Sequence, residues 1–262
     1  MHYNTLITSE QDGIFTVTLN RPEKRNAISY ELIEDLLRAL DAAEKSASQV
    51  LIITGGGKAF CAGMDLENLK TLSTAKKSHA EHVEDSRTMA RLFRAIYDFP
   101  KPSLAAVNGA AIAGGTGIAT LCDITIAVPE AKFGYTEVRI GFVPAIVSTF
   151  LMRQIGEKQA RDLLLTGRLI DAAEAYRIGL INEVVASENL MPRAYEIAGV
   201  LMENSPASVR ATKQLLSKNV NAELDQQIEA AVEQNARMRL TGDFGEGVAS
   251  FLEKRKPKWS GH

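Results

Sequence analysis

Cysteine is scarce in this chain. There are two among 262 residues, Cys61 and Cys122, in no CxxC pair and at no metal-ligand spacing. That excludes a disulfide scaffold and a thiolate zinc site, and it fits a reducing compartment with both thiols free. Charge of one sign is lacking as well. Lys and Arg number 30 against 32 Asp and Glu, and the pI is about 6.1. No basic field therefore draws the chain to nucleic acid or anionic lipid. The segment MHYNTLITSE at 1–10 has neither a basic n-region nor an apolar h-region, so no secretory signal is expected. One long apolar run, 104–128, is interrupted by Asn108, Asp123 and four glycines and lacks flanking anchors, which argues against a membrane span. His79 and His82, three apart in a polar stretch, read as an exposed helix face rather than a metal pair. No internal repeat, low-complexity block or linker is visible. The expectation is a cytoplasmic protein with no metal, no membrane and no nucleic acid as partner.

What is present is an alternation. Ile14–Leu19 runs at period two and reads as a strand. Ser29 is placed to cap an amphipathic helix over 30–46. Strands follow at 50–53, 104–107 and 124–128, with a short helix at 115–121. Residues 67–99 are charged around a helical stripe of Met89, Leu92, Phe93 and Ile96, and read as an exposed helical excursion. A helix is expected at 146–165, and Asp171 is placed to cap the next one. A last short strand is expected over 182–185. From 187 onward the pattern is helical, over 188–203, 206–218, 222–240 and 243–254, with Pro192 and Pro206 at first-turn positions. The alternation predicts an α/β fold. The organisation expected is a core over 1–200 and a helical region over 201–262 that serves assembly and covers a site.

Two glycine-rich turns stand out. One is GGGKAFCAGMDL at 55–66, after the strand at 50–53. The other is NGAAIAGGTG at 108–117, which runs into a helix start. Glycine there lets a ligand reach the backbone, and N–H groups at a helix start favour negative charge. Two such turns, each offering one N–H, would make an oxyanion hole. GGGKA has neither the spacing nor the Ser or Thr of a P-loop, and Gly115-Thr116-Gly117 does not complete GxGxxG.

NRPEKRNAIS at 20–29, GGGKAFCAGMDL at 55–66, PKPSLAAVNGAAIAGGTGIATLCDITIA at 100–127, AKFGYTEVRIGFVP at 131–144, LLLTGRLIDAAEAYRIGLINEVV at 163–185 and FLEKRKPKW at 251–259 together resemble the crotonase superfamily, in order and over nearly the whole chain. That family includes the enoyl-CoA hydratases and isomerases. The resemblance implies a spiral of ββα units with a helical C-terminal region. It implies homotrimers, often paired into hexamers, and acyl-CoA thioester substrates with no separate cofactor, CoA being part of the substrate.

It also implies roles for particular residues. The N–H groups of Met64 and Gly114 would hold the thioester oxygen. Glu137 would move protons as general acid or base. Lys24, Arg25 and Ala27 match the CoA-binding turn, and Ala62, Asp65 and Leu66 flank the same ligand. Lys254, with Arg255 and Lys256, would add charge near the CoA phosphates. Gly117 departs from the pattern, because hydratases of the family usually carry a second glutamate there. A lone glutamate resembles the isomerases that shift an enoyl double bond, and Gly117 is expected to leave room for a larger or branched acyl chain. Ala145, where dienoyl-CoA isomerases and a related dehalogenase carry aspartate, argues against both. Isomerase is therefore the first expectation, hydratase the alternative, and a CoA-binding scaffold without chemistry the third.

Overall fold

The computed structural model describes residues 2–74, 76–219 and 221–261. A six-stranded sheet is built from β1 (Leu6–Gln11), β2 (Ile14–Leu19), β3 (Val50–Gly55), β5 (Ser103–Val107), β7 (Ile124–Ala127) and β10 (Glu183–Val184), in that order. Only the β1–β2 hairpin in it is antiparallel. β3 and β5 are buried over nearly their whole length. Both faces are covered, which is why these strands read as continuous apolar runs rather than alternating ones. A second sheet pairs β4 (Ala59–Cys61), β6 (Ala110–Ile112), β8 (Lys132–Gly134) and β9 (Ile170–Asp171).

Chain order shows how the two sheets are wound. β3 passes to β4, then through α2 (Leu66–Thr74) and α3 (His79–Tyr97) to β5. β5 passes to β6, then through α4 (Gly114–Thr120) to β7. β7 passes to β8 and on to α5 (Ala145–Thr166). Each turn lays one strand in each sheet before its helix, a spiral of ββα units. α1 (Tyr30–Lys45) connects β2 to β3, and its N-cap is Ser29, whose side chain accepts from Leu32 N–H. α6 (Ala172–Arg177) is capped by Asp171 as the sequence suggests. The chain closes with α7 (Leu190–Met202), α8 (Pro206–Lys218), α9 (Asn221–Met238) and α10 (Gly242–Leu252).

Three expectations change. The strands of the second sheet are two or three residues long, too short to show a period, and were not expected. α5 is broken at Gly156, whose φ of 75° and ψ of 162° are not helical. The exposed excursion expected over 67–99 holds for α2, which buries only Leu72, but not for α3. α3 buries His82, Ser86, Ala90, Leu92, Phe93 and Ile96 and packs against α9 and α1. Most of its charged residues lie on the outer face, Asp85 borders a cavity, and the apolar stripe belongs to the core.

Candidate active site

Two close backbone approaches bring the glycine turns together. A Cβ at Gly115 would fall 2.2 Å from the Cys61 carbonyl oxygen, so only glycine lets the start of α4 lie on β4. Gly63, at φ +89°, sits so close to Ile112 that a Cβ there would be 3.1 Å from its carbonyl oxygen. Met64 and Gly114 follow from these contacts as neighbours on one cavity of about 480 Å³.

Both have a free backbone N–H, for separate reasons. Ile28 pairs with the second turn through both its groups: its N–H donates to Gly63 O at 2.7 Å and its carbonyl accepts from Asp65 N–H at 2.9 Å. In this parallel bridge Met64 N–H faces the other way. Gly114 is the first residue of α4, where an N–H has no intrahelical acceptor. Among the described residues, neither N–H donates to a protein atom. Ala113 before it takes φ 51° and ψ −122°, with its own N–H given to Gly134 O at 2.7 Å. A non-glycine residue in that region costs about 1–3 kcal/mol, and the twist it provides turns the helix start toward the cavity.

Glu137 opens the short helical turn Glu137–Ile140, which is closed by Gly141 N–H onto the Glu137 and Val138 carbonyls. The residue borders the cavity, but its carboxyl Oε2 is buried and has no hydrogen-bond partner among the described residues. Desolvation pushes the carboxyl pKa up to about 7, against a small pull from its own N–H. A buried acid at that value exchanges protons in either direction near neutral pH.

Gly117 does not open the site. A Cβ there would meet Phe93 Cζ and Val147 Cγ1, each at 3.0 Å. The room expected for a larger acyl chain is filled by these two side chains. Ala145, also on the cavity, is the first residue of α5.

Two of the residues assigned to CoA by resemblance line the cavity and the others do not. Ala62 and Leu66 border the cavity. Arg25, at φ 51°, accepts Ala62 N–H at 3.0 Å. Ala27 is buried, and its carbonyl accepts from Arg21 Nη1 at 2.6 Å. Lys24 pairs with Glu67 at 2.9 Å. The Asp65 carboxylate is committed to Arg21 at 2.8 Å and to Glu67 N–H at 3.0 Å. The buried Asn26 ties this turn to β4, accepting Arg21 N–H and donating to the Gly56 and Ala59 carbonyls at 2.9 and 2.8 Å. Lys254 and Lys256 are exposed after α10, whereas Arg255 is bound to Glu246 and Glu253. Cys61 and Cys122 are free and buried. His79 binds Glu233 at 3.1 Å, and His82 is buried, so the two do not share an exposed face as expected.

Sequence reasoning missed the far wall of the cavity, which Tyr30, Asp85, Asn235 and Arg239 line with Phe142 and Phe244. No local motif marks them, because they arrive from α1, α3 and α9.

The family model described as enoyl-CoA hydratase/isomerase matches residues 9–262. A relative from Thermus thermophilus with the name "Putative enoyl-CoA hydratase" is 42% identical, over 97% of this chain and 100% of that one. A crotonyl-CoA hydratase of Syntrophomonas wolfei is 35% identical over 98% of each. The crystal structure of an enoyl-CoA hydratase/isomerase from Xanthobacter autotrophicus superposes with a TM-score of 0.89 at 29% identity, covering 96% of this chain and 94% of that one.

Proposed function

The chain belongs to the enoyl-CoA hydratase/isomerase family, and from that premise we propose that it shifts the double bond of an enoyl-CoA thioester by single-carboxyl proton transfer. The observation that carries this is the pairing of Glu137 with a closed wall at Gly117. One buried carboxyl with a pKa near 7 borders the cavity, and Phe93 and Val147 fill the place of a second at 117.

The thioester oxygen accepts from Met64 N–H and Gly114 N–H. Glu137 takes a C2 proton from a 3-enoyl ester, and the electron pair of that C–H bond delocalises as a dienolate. Its negative charge grows on the oxygen, where each preorganised N–H is worth roughly 3–4 kcal/mol. The Glu137 carboxyl then returns the proton at C4, and the double bond lies between C2 and C3. One base reaching two carbons suffices, and no water has to be held.

Hydration of a 2-enoyl-CoA is the second reading. It is favoured by the relatives, whose names are mostly those of hydratases. It requires a group other than a residue at 117 to hold the water. We also propose that the chain assembles as a homotrimer or hexamer, which the exposed Leu165, Leu215, Leu216 and Phe251 support. The deciding test offers 3-hexenoyl-CoA and 2-hexenoyl-CoA in ¹⁸O-labelled water. Conversion between the two, with little label in product, is expected. Rapid labelled hydration without isomerisation would overturn the isomerase reading in favour of the hydratase.

A further inference from the structure

Arg239 is a buried charge that the proton transfer does not use. Its side chain is only 5% exposed, and it borders the cavity that Glu137, Met64 and Gly114 share. Nη1 donates to the His82 carbonyl at 3.1 Å. Nε is buried with no partner, and Nη2 makes no hydrogen bond among the described residues. The nearest carboxylate, Asp85, stands 3.8 Å from Nη1, beyond hydrogen-bond reach, and is taken at 2.6 Å by Lys77. The neighbouring His82 is held below its ordinary pKa by burial and by Arg239 itself, so it brings no negative charge. Arg239 and Lys77 thus share one carboxylate, Asp85.

A second orphan lies one helical turn away. Asn235 is 5% exposed, and its amide Oδ1 is buried without a partner among the described residues. Arg239 directly follows α9 and keeps its helical turn, its N–H donating to the Asn235 carbonyl at 3.3 Å, so the two residues share a face. The amide presents either its carbonyl or its NH2 to the cavity by rotating about its last torsion. Tyr30, its hydroxyl kept protonated by burial with a pKa of about 12, faces the same space. The remaining wall there is apolar, from Leu69, Leu72, Phe142 and Phe244. Phe142 supplies a ring 5.5 Å from the guanidinium but no counter-charge.

A buried guanidinium with one long ion pair, and with Nε and Nη2 unbonded among the described residues, is unfavourable unless a ligand completes it. The completing group has to be an acceptor, and the planar geometry of a carboxylate matches the guanidinium fork. We propose that the acyl chain of the natural thioester carries a second carboxylate, held by Arg239 with Asn235 as a further donor, while the Tyr30 hydroxyl is engaged with Asp85. The substrate class is the CoA monothioester of an unsaturated dicarboxylic acid. This inference rests on the acyl-CoA reading of the cavity.

The test uses saturated esters, which bind without reacting. Calorimetric titration of the wild-type protein compares glutaryl-, adipoyl- and suberoyl-CoA with pentanoyl-, hexanoyl- and octanoyl-CoA. At one length or more, the dicarboxylic ester is expected to bind at least about 10-fold tighter. Arg239→Gln should bring that ratio close to one while leaving the fatty acyl ester within about threefold of its wild-type affinity, and Arg239→Lys should retain part of it. Asn235→Leu supplies an independent reduction of the ratio should the Arg239 variants not fold. Fatty acyl esters that bind as tightly as, or tighter than, their dicarboxylic counterparts at every length would overturn the inference and leave the acyl-CoA reading standing. If no ester binds, both fall together.

Discussion

The Phe93 ring lies over Gly117. A side chain at 117 would place its Cβ 3.0 Å from Phe93 Cζ and, on its other side, 3.0 Å from Val147 Cγ1. α4 and α3 meet at this point, and the glycine is the complement of the phenylalanine. What the sequence marks as a missing carboxylate is, in the fold, a position filled from a neighbouring helix. Restoring the acid is therefore a packing problem before it is a catalytic one.

Gly117→Glu alone is expected to lose about 1–3 kcal/mol of stability by overpacking, and to gain no hydration. Phe93→Ala alone leaves a cavity and should cost about 3–5 kcal/mol. The double variant is expected to be more stable than the sum of the two changes predicts, because the new side chain enters the space the ring leaves. Thermal melts of all four proteins test the coupling. Additive losses would mean that 117 and 93 do not share space. Hydration of 2-hexenoyl-CoA, if it appears, should appear only in the double variant.

The oxyanion assignment is tested by removing an N–H without removing a helix. Proline is tolerated at the first helical position, which Gly114 occupies. Alanine at the same place keeps the N–H and adds only a Cβ, 2.9 Å from the flexible end of Ile28. With circular dichroism confirming the fold, Gly114→Pro is expected to turn over about 10²–10³-fold more slowly than Gly114→Ala. Equal rates in the two folded variants would remove Gly114 N–H from the mechanism.

Asn26 holds the turn that the resemblance assigns to CoA. Its φ is +54°, and its side chain makes three hydrogen bonds that link Arg21 to the end of β3 and to β4. Asn26→Ala strands those three backbone groups and keeps the unfavourable φ. A loss of at least about 3 kcal/mol is expected, at about 1–3 kcal/mol for each buried group left unpaired. The KM for any acyl-CoA should rise more than kcat falls. Asn26→Gly relieves the backbone conformation but not the bonds, and should recover only part of the loss. Full recovery by glycine in a denaturant titration would show that the side-chain bonds contribute little.

Legibility in the sequence followed locality. β3, β5 and the two glycine turns were readable because strand, turn and helix start are contiguous. Ser29 and Asp171 were readable as caps because capping is decided within four residues. The second sheet was not readable, since two or three residues show no period. α3 was misplaced because its charges outnumber its apolar stripe. The stripe is nevertheless what packs, with Phe93 against Gly117 and Ala90, Leu92 and Ile96 in the core. Asn235 and Arg239 had no signal at all. Their place on the cavity depends on α9 packing against α3 and α5, a contact between segments about 70 to 150 residues apart.

Glu137 ties catalysis to stability through one proton. Its carboxyl pKa lies near 7 in the fold, against an ordinary value of 4.5, because burial penalises the charged form. Below pH 4.5 the group is neutral whether folded or not, and burial carries no penalty of this kind. Between 4.5 and 7 the unfolded chain releases a proton that the folded chain keeps, so stability falls as pH rises. Above 7 both forms are ionised, and the full cost of the buried charge stands, on the order of 3 kcal/mol at 1.36 kcal/mol per unit. Glu137→Gln abolishes this titration. The variant is expected to match the wild type near pH 4.5, to become progressively more stable than it up to pH 7, and to hold a constant advantage above that. Turnover should fall at least about 10²-fold at every pH, while affinity for hexanoyl-CoA changes little. Urea titrations at pH 5, 6, 7 and 8 measure the stability difference directly. A difference that stays flat across that range would show that the carboxyl is not desolvated in the free protein, and would withdraw the basis for a proton-exchanging group at this position.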